Sequence, residues 1–502
     1  MEILLLTTTA QHATSNPNVI LDPKSLKKWI DSLSGTDLPR IVSQLHTAIE
    51  NLNELVVDDK RRLKLLQVYY DSLQDILLSC DEIRINMLPI SVQQRNKLRE
   101  DVMWLYLSLA NGYKHIVKNY FDKKILPGKD PVLLYAVYSA MELIVEGLIY
   151  SYRAHLSPPP LARLEVNQLF YYAFMNKVTD IPIKGRKGHV SLPTINRLYK
   201  QHVLMFVSNP YRLNPTDMLD LFLFLESIAD NCLMQLGQAG SAMEGKYRVD
   251  LLSDDDPAPC VEVGMSGMTE QTLVIDIWPI VNILAARTAE HDVNKQSFLE
   301  LQERHMIDII IEQIGRHTPY KEASWVDIQQ PVHAVHGINA LNHVLAQKTS
   351  SEVDYIKWVI QKKNKNDYML LAMNPESLPE IMVGDVIGII RDEGKLIIGV
   401  TQWLKREQGD TLKLGIKVIG DYAEPVLYEI ESGYGVDLAE DSEYPGLYFP
   451  QHKANHDAAL LIRKEHYSKD RNLYVHRGNE RFQANVAALL VDSPFYIQLK
   501  LK

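Results

Sequence analysis

Residues 378–421 read LPEIMVGDVIGIIRDEGKLIIGVTQWLKREQGDTLKLGIKVIGD. Three short apolar runs stand out, Val386–Ile390, Leu396–Val400 and Leu412–Ile419, separated by Asp-Glu-Gly at 392–394 and Gln-Gly-Asp at 408–410. Apolar, β-branched runs of this length with turn residues between them form consecutive antiparallel strands, so the segment predicts a β-meander.

Outward from the meander, strand-like runs fill the chain from Trp325 to its end: Tyr355–Gln361, Tyr368–Met373, Leu427–Glu431, Gly446–Phe449, Ala458–Arg463, Leu473–His476, Phe482–Leu490 and Phe495–Leu499. Spacings of about 8–12 residues fit barrels or sandwiches. Residues 321–425 are read as one β-barrel and 426–502 as a second small β domain, divided at Tyr422–Pro425.

Toward the N-terminus the period changes from two to three or four. Ile41, Leu45, Ile49, Leu52 and Leu55 line one helical face, and Asp58–Ser79 repeats the pattern. Ser91 is a candidate N-cap for a helix running toward Phe121. Further helices are predicted at Lys24–Ile30, Leu133–His155, Leu161–Val178, Leu192–Ser208 and Pro215–Gly237. Residues 1–240 are therefore expected to form an all-helical interaction domain, a bundle or a solenoid. Residues 241–320 read as a mixed connector, with short strands at Cys260–Val263 and Thr272–Ile275 and helices at Trp278–Ala289 and Lys295–Ile314. The fold class is multidomain α+β: a helical N-terminal half followed by antiparallel β-barrels.

At 502 residues the chain exceeds one core. Its 46% hydrophobic and 23% charged content is that of globular protein. A formal net charge of −10 argues against nucleic-acid partners. Cys80, Cys232 and Cys260 are far apart, which argues against a disulfide framework. MEILLLTTTA lacks a basic n-region, and no apolar run reads as the ~18–20 residues of a membrane span. The expectation is a cytoplasmic protein without membrane insertion.

No phosphate-cradling glycine loop, nucleophile elbow, zinc helix or kinase motif occurs, so neither catalytic nor metal-ligating residues are assigned. Among 16 histidines the densest group is His333, His336 and His343, and His452 and His456 are four apart; structural roles are favoured for all. Asp254–Asp256 reads as a solvated linker, and the aromatic run Leu169–Phe174 as helix-packing core. Two alternatives stay open: an enzyme with a dispersed site, in which His333 or His336 works beside Asp327, and a self-assembling structural protein.

Gly399-Val-Thr-Gln-Trp403, a turn, and Gly415-Ile-Lys-Val418, preceded by Val383-Gly384-Asp385, resemble the second half of the PilZ β-barrel. The whole layout resembles large bacterial proteins with a helical N-terminal half and PilZ-like barrels. The resemblance implies cyclic di-GMP, which that family binds through an Arg-x-x-x-Arg segment and an Asp/Asn-x-Ser-x-x-Gly motif. Arginine forks suit phosphates and guanine faces. Here the corresponding residues are Arg316 and Lys321 upstream, then Asp327-Ile-Gln329-Gln-Pro-Val332, with Gln329 at the Ser position and Val332 at the Gly position. The implied function is a non-enzymatic bacterial signalling adaptor that binds protein partners through its helical half. Its cyclic di-GMP site, at Arg316, Lys321, Asp327 and Gln329, is lost or altered.

Overall fold

The structure is a computed structural model. It describes residues 4–12, 15–33, 37–77, 88, 90–184, 192–237, 245–263, 268–290, 304–311, 325–346, 355–364, 367–373, 381–390, 396–407, 411–431, 443–450, 458–468 and 472–502. The chain divides into two compact units, Met1–Tyr320 and Lys321–Lys502.

In the first unit the helix starts are written in the sequence. α1 (Pro23–Ser32), α2 (Leu38–Asn53) and α5 (Pro131–Arg153) each begin with an aspartate N-cap and a proline in the first turn. The carboxylate takes an otherwise orphaned N–H, and proline has none to lose. α3 is Asp59–Leu77. α4 (Val92–Asp122) starts with a capping box, Ser91 and Gln94 each bonding the other's backbone N–H. α6 is Ala162–Met175, α7 Ile195–Val207 and α8 Pro215–Ile228.

α5 lies at the centre of this unit, with nearly every residue from Leu133 onward buried. It corrects the expectation that no stretch is apolar enough to span a bilayer. By length and composition α5 qualifies, but 83% of its most apolar window is covered by protein, which makes it a core helix.

Asp254 and Asp256 are not a solvated linker. Asp254 accepts from the backbone N–H of Leu161 (2.8 Å) and Leu164 (2.9 Å), and Asp256 pairs with Arg163. Leu161 holds a left-handed φ of 68° and makes no cap of its own, so α6 takes its N-terminal cap from about 90 residues downstream. The aromatic run is core, with Phe170 stacked on Tyr199 at 3.9 Å.

After α8 the sequence expectation fails. Pro215–Gly237 is not one helix: a 3-10 turn at Ala229–Asn231 ends it, and Leu233–Leu236 forms β1. Strands β2 (Lys246–Asp250), β3 (Ala258–Pro259) and β4 (Thr272–Asp276) complete an antiparallel sheet in the order β1-β4-β2-β3. Tyr247, Val249, Leu273 and Ile275 from this sheet belong to the same apolar core as the helices. Cys260–Val263, expected as a strand, is one helical turn after Pro259. α9 (Trp278–Glu290) follows, and residues 304–311 are helical.

In the second unit, β5 (Val326–His336), β6 (Ile356–Lys363), β7 (Asp367–Met373), β8 (Val386–Ile390), β9 (Leu396–Glu407) and β10 (Thr411–Gly420) close a barrel in the order β10-β7-β6-β5-β8-β9. Val332, Trp358, Ile360, Leu370, Leu404, Leu414 and Ile416 fill its interior. The glycines of the meander are steric necessities. A Cβ on Gly415 would lie 2.0 Å from Trp403 Nε1, and one on Gly399 would lie 2.2 Å from Ile416 Cγ2. Gly415 and Trp403 are register partners, so the indole lies flat across the neighbouring strand only because no side chain rises there.

The helix α10 (Ile338–Leu345) lies against the barrel, where Ile338 and Leu341 pack with Val386, Ile398, Val400, Leu447 and Phe449. Asn342 donates to the carbonyls of Val426 (3.0 Å) and Gly446 (2.9 Å). These belong to β11 (Glu424–Ile430) and β12 (Tyr444–Phe449). With β13 (Ala459–Arg463), β14 (Leu473–Arg477), β15 (Glu480–Gln483), β16 (Val486–Asp492) and β17 (Tyr496–Leu501) they make a sheet in the order β15-β14-β11-β12-β13-β17-β16. Phe482–Leu490, expected as one strand, is split: β15 pairs with β14 at one edge of the sheet and β16 with β17 at the other.

Candidate functional site

α4 turns a row of mixed side chains toward α2: Trp104, Leu107, Ser108, Asn111 and Lys114, spaced three or four apart on one face. α2 answers with His46 and Glu50, one turn apart. An extended segment, Thr7–Thr9, runs beside them, bonded to Asn111 of α4. Together they line a cavity of about 380 Å³, near the lower end for small-molecule sites.

The extended segment is held by side chains rather than by a strand partner. Leu4 and Leu6 are buried in the core. The Leu5 N–H donates to Gln168 Oε1 (3.2 Å), and the Thr7 N–H and hydroxyl donate to Glu165 Oε1 (2.7 and 2.6 Å). Thr9 and Asn111 bond each other twice. Lys118 reaches the Thr8 hydroxyl at 3.3 Å. A backbone without a ladder has to find partners elsewhere, and α4 and α6 supply them.

Lys114 and Glu165 form a buried ion pair, Nζ to Oε2 2.8 Å, each side chain 7% exposed. Burial pushes the Lys114 ammonium below the ordinary lysine range, and the Glu165 carboxylate opposes that shift. His46 Nε2 lies 2.9 Å from Ser108 Oγ, and Asn53 donates to the Ser108 carbonyl at 2.8 Å. The Glu50 carboxylate makes no hydrogen bond or ion pair among the described residues. Trp104, bonded through Nε1 to Glu100 (3.4 Å), is 40% exposed. The groove thus offers an aromatic face, a free carboxylate and several neutral donors. That set suits a flat, polar-edged ligand.

Sequence reasoning did not single out these residues. The available signal was polar Ser108, Asn111 and Lys114 at helical spacing within the mostly apolar middle of the helix, residues 102–117.

Of the binding and histidine candidates it did single out, all but Arg316 lie in the second unit. Arg316 and Lys321 fall outside the described residues, as do His452 and His456. Asp327 is exposed on β5, 3.8 Å from Lys362 of β6. Gln329 is exposed with a left-handed φ of 47°, inside a register shift between Asp327 and Gln330. Val332, at the position where the PilZ motif has glycine, points into the barrel core.

His336 does not meet Asp327. Its Nε2 lies 3.0 Å from Asp385 Oδ2, the same oxygen that accepts from the Met382 N–H at 2.7 Å, so the pair closes the turn into β8. His333 and His343 are exposed. Elsewhere Glu429, Glu443 and His476 bring their ligand atoms within 4.8 Å of one another. Arg481 donates to Glu429 at 2.8 Å and supplies the positive charge a metal ion would bring. Cys232 and Cys260 are buried free thiols, and burial pushes Cys232 up to about 12.

Comparison with known proteins places the similarity in the first unit. Residues 24–239, less than half of the chain, match the family described as the N-terminal domain of the cyclic-di-GMP receptor FimW. That stretch contains α2, α4 and α6, and so every groove residue except those of the Thr7–Thr9 segment. The cyclic-di-GMP receptor FimW of Pseudomonas aeruginosa is 24% identical over 164 residues, 32% of this chain. The matched stretch spans 26% of that protein, about a quarter of its length. No solved structure matches the chain. Over residues 24–239 the chain is similar to the N-terminal domain of a cyclic-di-GMP receptor family.

Proposed function

We propose that this protein is a non-enzymatic, cytoplasmic signalling adaptor of bacteria that binds cyclic di-GMP in the groove between α2 and α4 and engages protein partners through its helical unit. One observation carries the reading: the stretch similar to a cyclic-di-GMP receptor domain is the stretch that builds the cavity. The side chains there support it. A guanine offers a flat face and a donor-rich edge, and the groove offers an aromatic face and a free acceptor. Calorimetric titration of the full chain with cyclic di-GMP is expected to give saturable binding, accompanied by a rise in melting temperature that grows with ligand concentration. Absence of both removes the receptor reading.

The six-stranded barrel is proposed to be of the PilZ kind, carrying a second, altered site at Asp327 and Gln329. The observation favouring this is the left-handed Gln329 at the register shift, since strained backbone concentrates at ligand sites. Replacing Asp327 and Gln329 by alanine is expected to leave groove binding intact and to abolish any second binding event in the same titration.

A further inference from the structure

Resting on that reading, we infer that the groove is a guanine-specific subsite: Trp104 stacks one base, and the Glu50 carboxylate accepts from its N1–H and exocyclic N2–H. Three observations meet here. First, Trp104 keeps 40% of its surface exposed at the cavity wall, on a helix whose tyrosines Tyr106, Tyr113 and Tyr120 are all buried. Stacking on a base gives such a surface a partner of matching shape.

Second, Glu50 is an acceptor with no donor among the described residues, although it stands half-buried at the same cavity. An ionised carboxylate accepts only, and guanine presents two adjacent donors on its Watson–Crick edge. Adenine presents there one donor and one ring-nitrogen acceptor, which would face a carboxylate lone pair. A half-buried acceptor set against two donors disfavours a base that lacks one of them, because a lone pair then faces a lone pair.

Third, the cavity of about 380 Å³ fits a single nucleoside-sized group rather than a whole cyclic dinucleotide. Half of the ligand enters and half stays outside. The strap end of the groove suits the connecting phosphate, since Lys118 Nζ and the Thr8 hydroxyl are 3.3 Å apart. The subsite therefore binds 5′-GMP on its own, more weakly than the dinucleotide.

The test is calorimetry on the full chain with cyclic di-GMP, cyclic di-AMP and 5′-GMP, comparing wild type with Glu50→Gln, Trp104→Ala and Trp104→Phe. Expected are binding of both guanine ligands with no uptake of cyclic di-AMP, and at least tenfold weakening by Glu50→Gln and by Trp104→Ala. Trp104→Phe retains most of the affinity, and melting temperatures without ligand stay at the wild-type value. Wild-type affinity for cyclic di-GMP in both Glu50→Gln and Trp104→Ala overturns the subsite and leaves the receptor reading standing. Binding of 5′-GMP that both variants lose, without binding of cyclic di-GMP, supports the subsite and overturns the receptor reading. Failure of both guanine ligands to bind overturns both.

Discussion

Lys114 shows how much a single side chain can hold. Its ammonium neutralises Glu165 in the interior, and Glu165 in turn receives the Thr7 backbone and hydroxyl. Lys114→Met leaves a buried carboxylate without a counter-charge, and a loss of about 3–5 kcal/mol is expected in urea unfolding followed by circular dichroism. The double change Lys114→Met with Glu165→Gln is expected to restore a substantial part of that loss. Two buried histidines are expected to make the first unit acid-sensitive. Burial pulls His115 down to about 4, with Arg62, Lys118 and Lys114 adding to the effect, and pulls His202 down to about 3, with Arg163 assisting. Both stay neutral in the fold, whereas the unfolded chain takes up a proton near pH 6.5. Stability is thus full above about pH 6.5 and falls as pH drops toward the folded values, by up to ~1.4 kcal/mol per pH unit for each histidine. Melting temperatures recorded from pH 7.5 to 4.5 are expected to fall, and less steeply in His202→Gln.

Among the elements, the β9–β10 pair is the most explicit about its own geometry. Gly415→Ala would press a methyl group into the Trp403 indole, and a destabilisation of about 1–3 kcal/mol is expected in urea unfolding, partly recovered by adding Trp403→Leu. This pair was legible in the sequence because apolar period, turn residues and glycine placement all agree there. The helices of the first unit were legible for the same reason, with Asp-Pro starts and a capping box marking their ends. Two kinds of element were not. Leu233–Leu236 looked like the end of a helix because four residues carry no clear period, and its strand identity comes from pairing with β4 some forty residues on. Asp254 looked like linker because its partner is a helix N-terminus about 90 residues earlier. The groove was hidden by the same distance: Thr7 and Glu165 are 158 residues apart, and nothing local in either segment announces the other. At the barrel, Val332, which the PilZ resemblance set at the motif's glycine position, is a core side chain.

At the scale of the whole molecule, each apolar core of the described residues lies within one of the two units. One runs from Leu4 to Ile310 and the others lie between Val332 and Leu501. A fragment comprising residues 321–502 is accordingly expected to unfold cooperatively by itself in calorimetry, because each compact unit with its own core folds as a unit. Lack of a transition in that fragment would contradict this. The first unit faces a different demand, set by the strap at Thr7–Thr9. Its partners Glu165 and Gln168 are 158 and 163 residues further along the chain. At a bacterial elongation rate of roughly 5–20 residues per second, the strap waits on the order of ten to thirty seconds for them to be synthesised. During translation Leu4 and Leu6 have no finished core to enter, so the α2–α4 groove acquires its third wall only after α6 has left the ribosome.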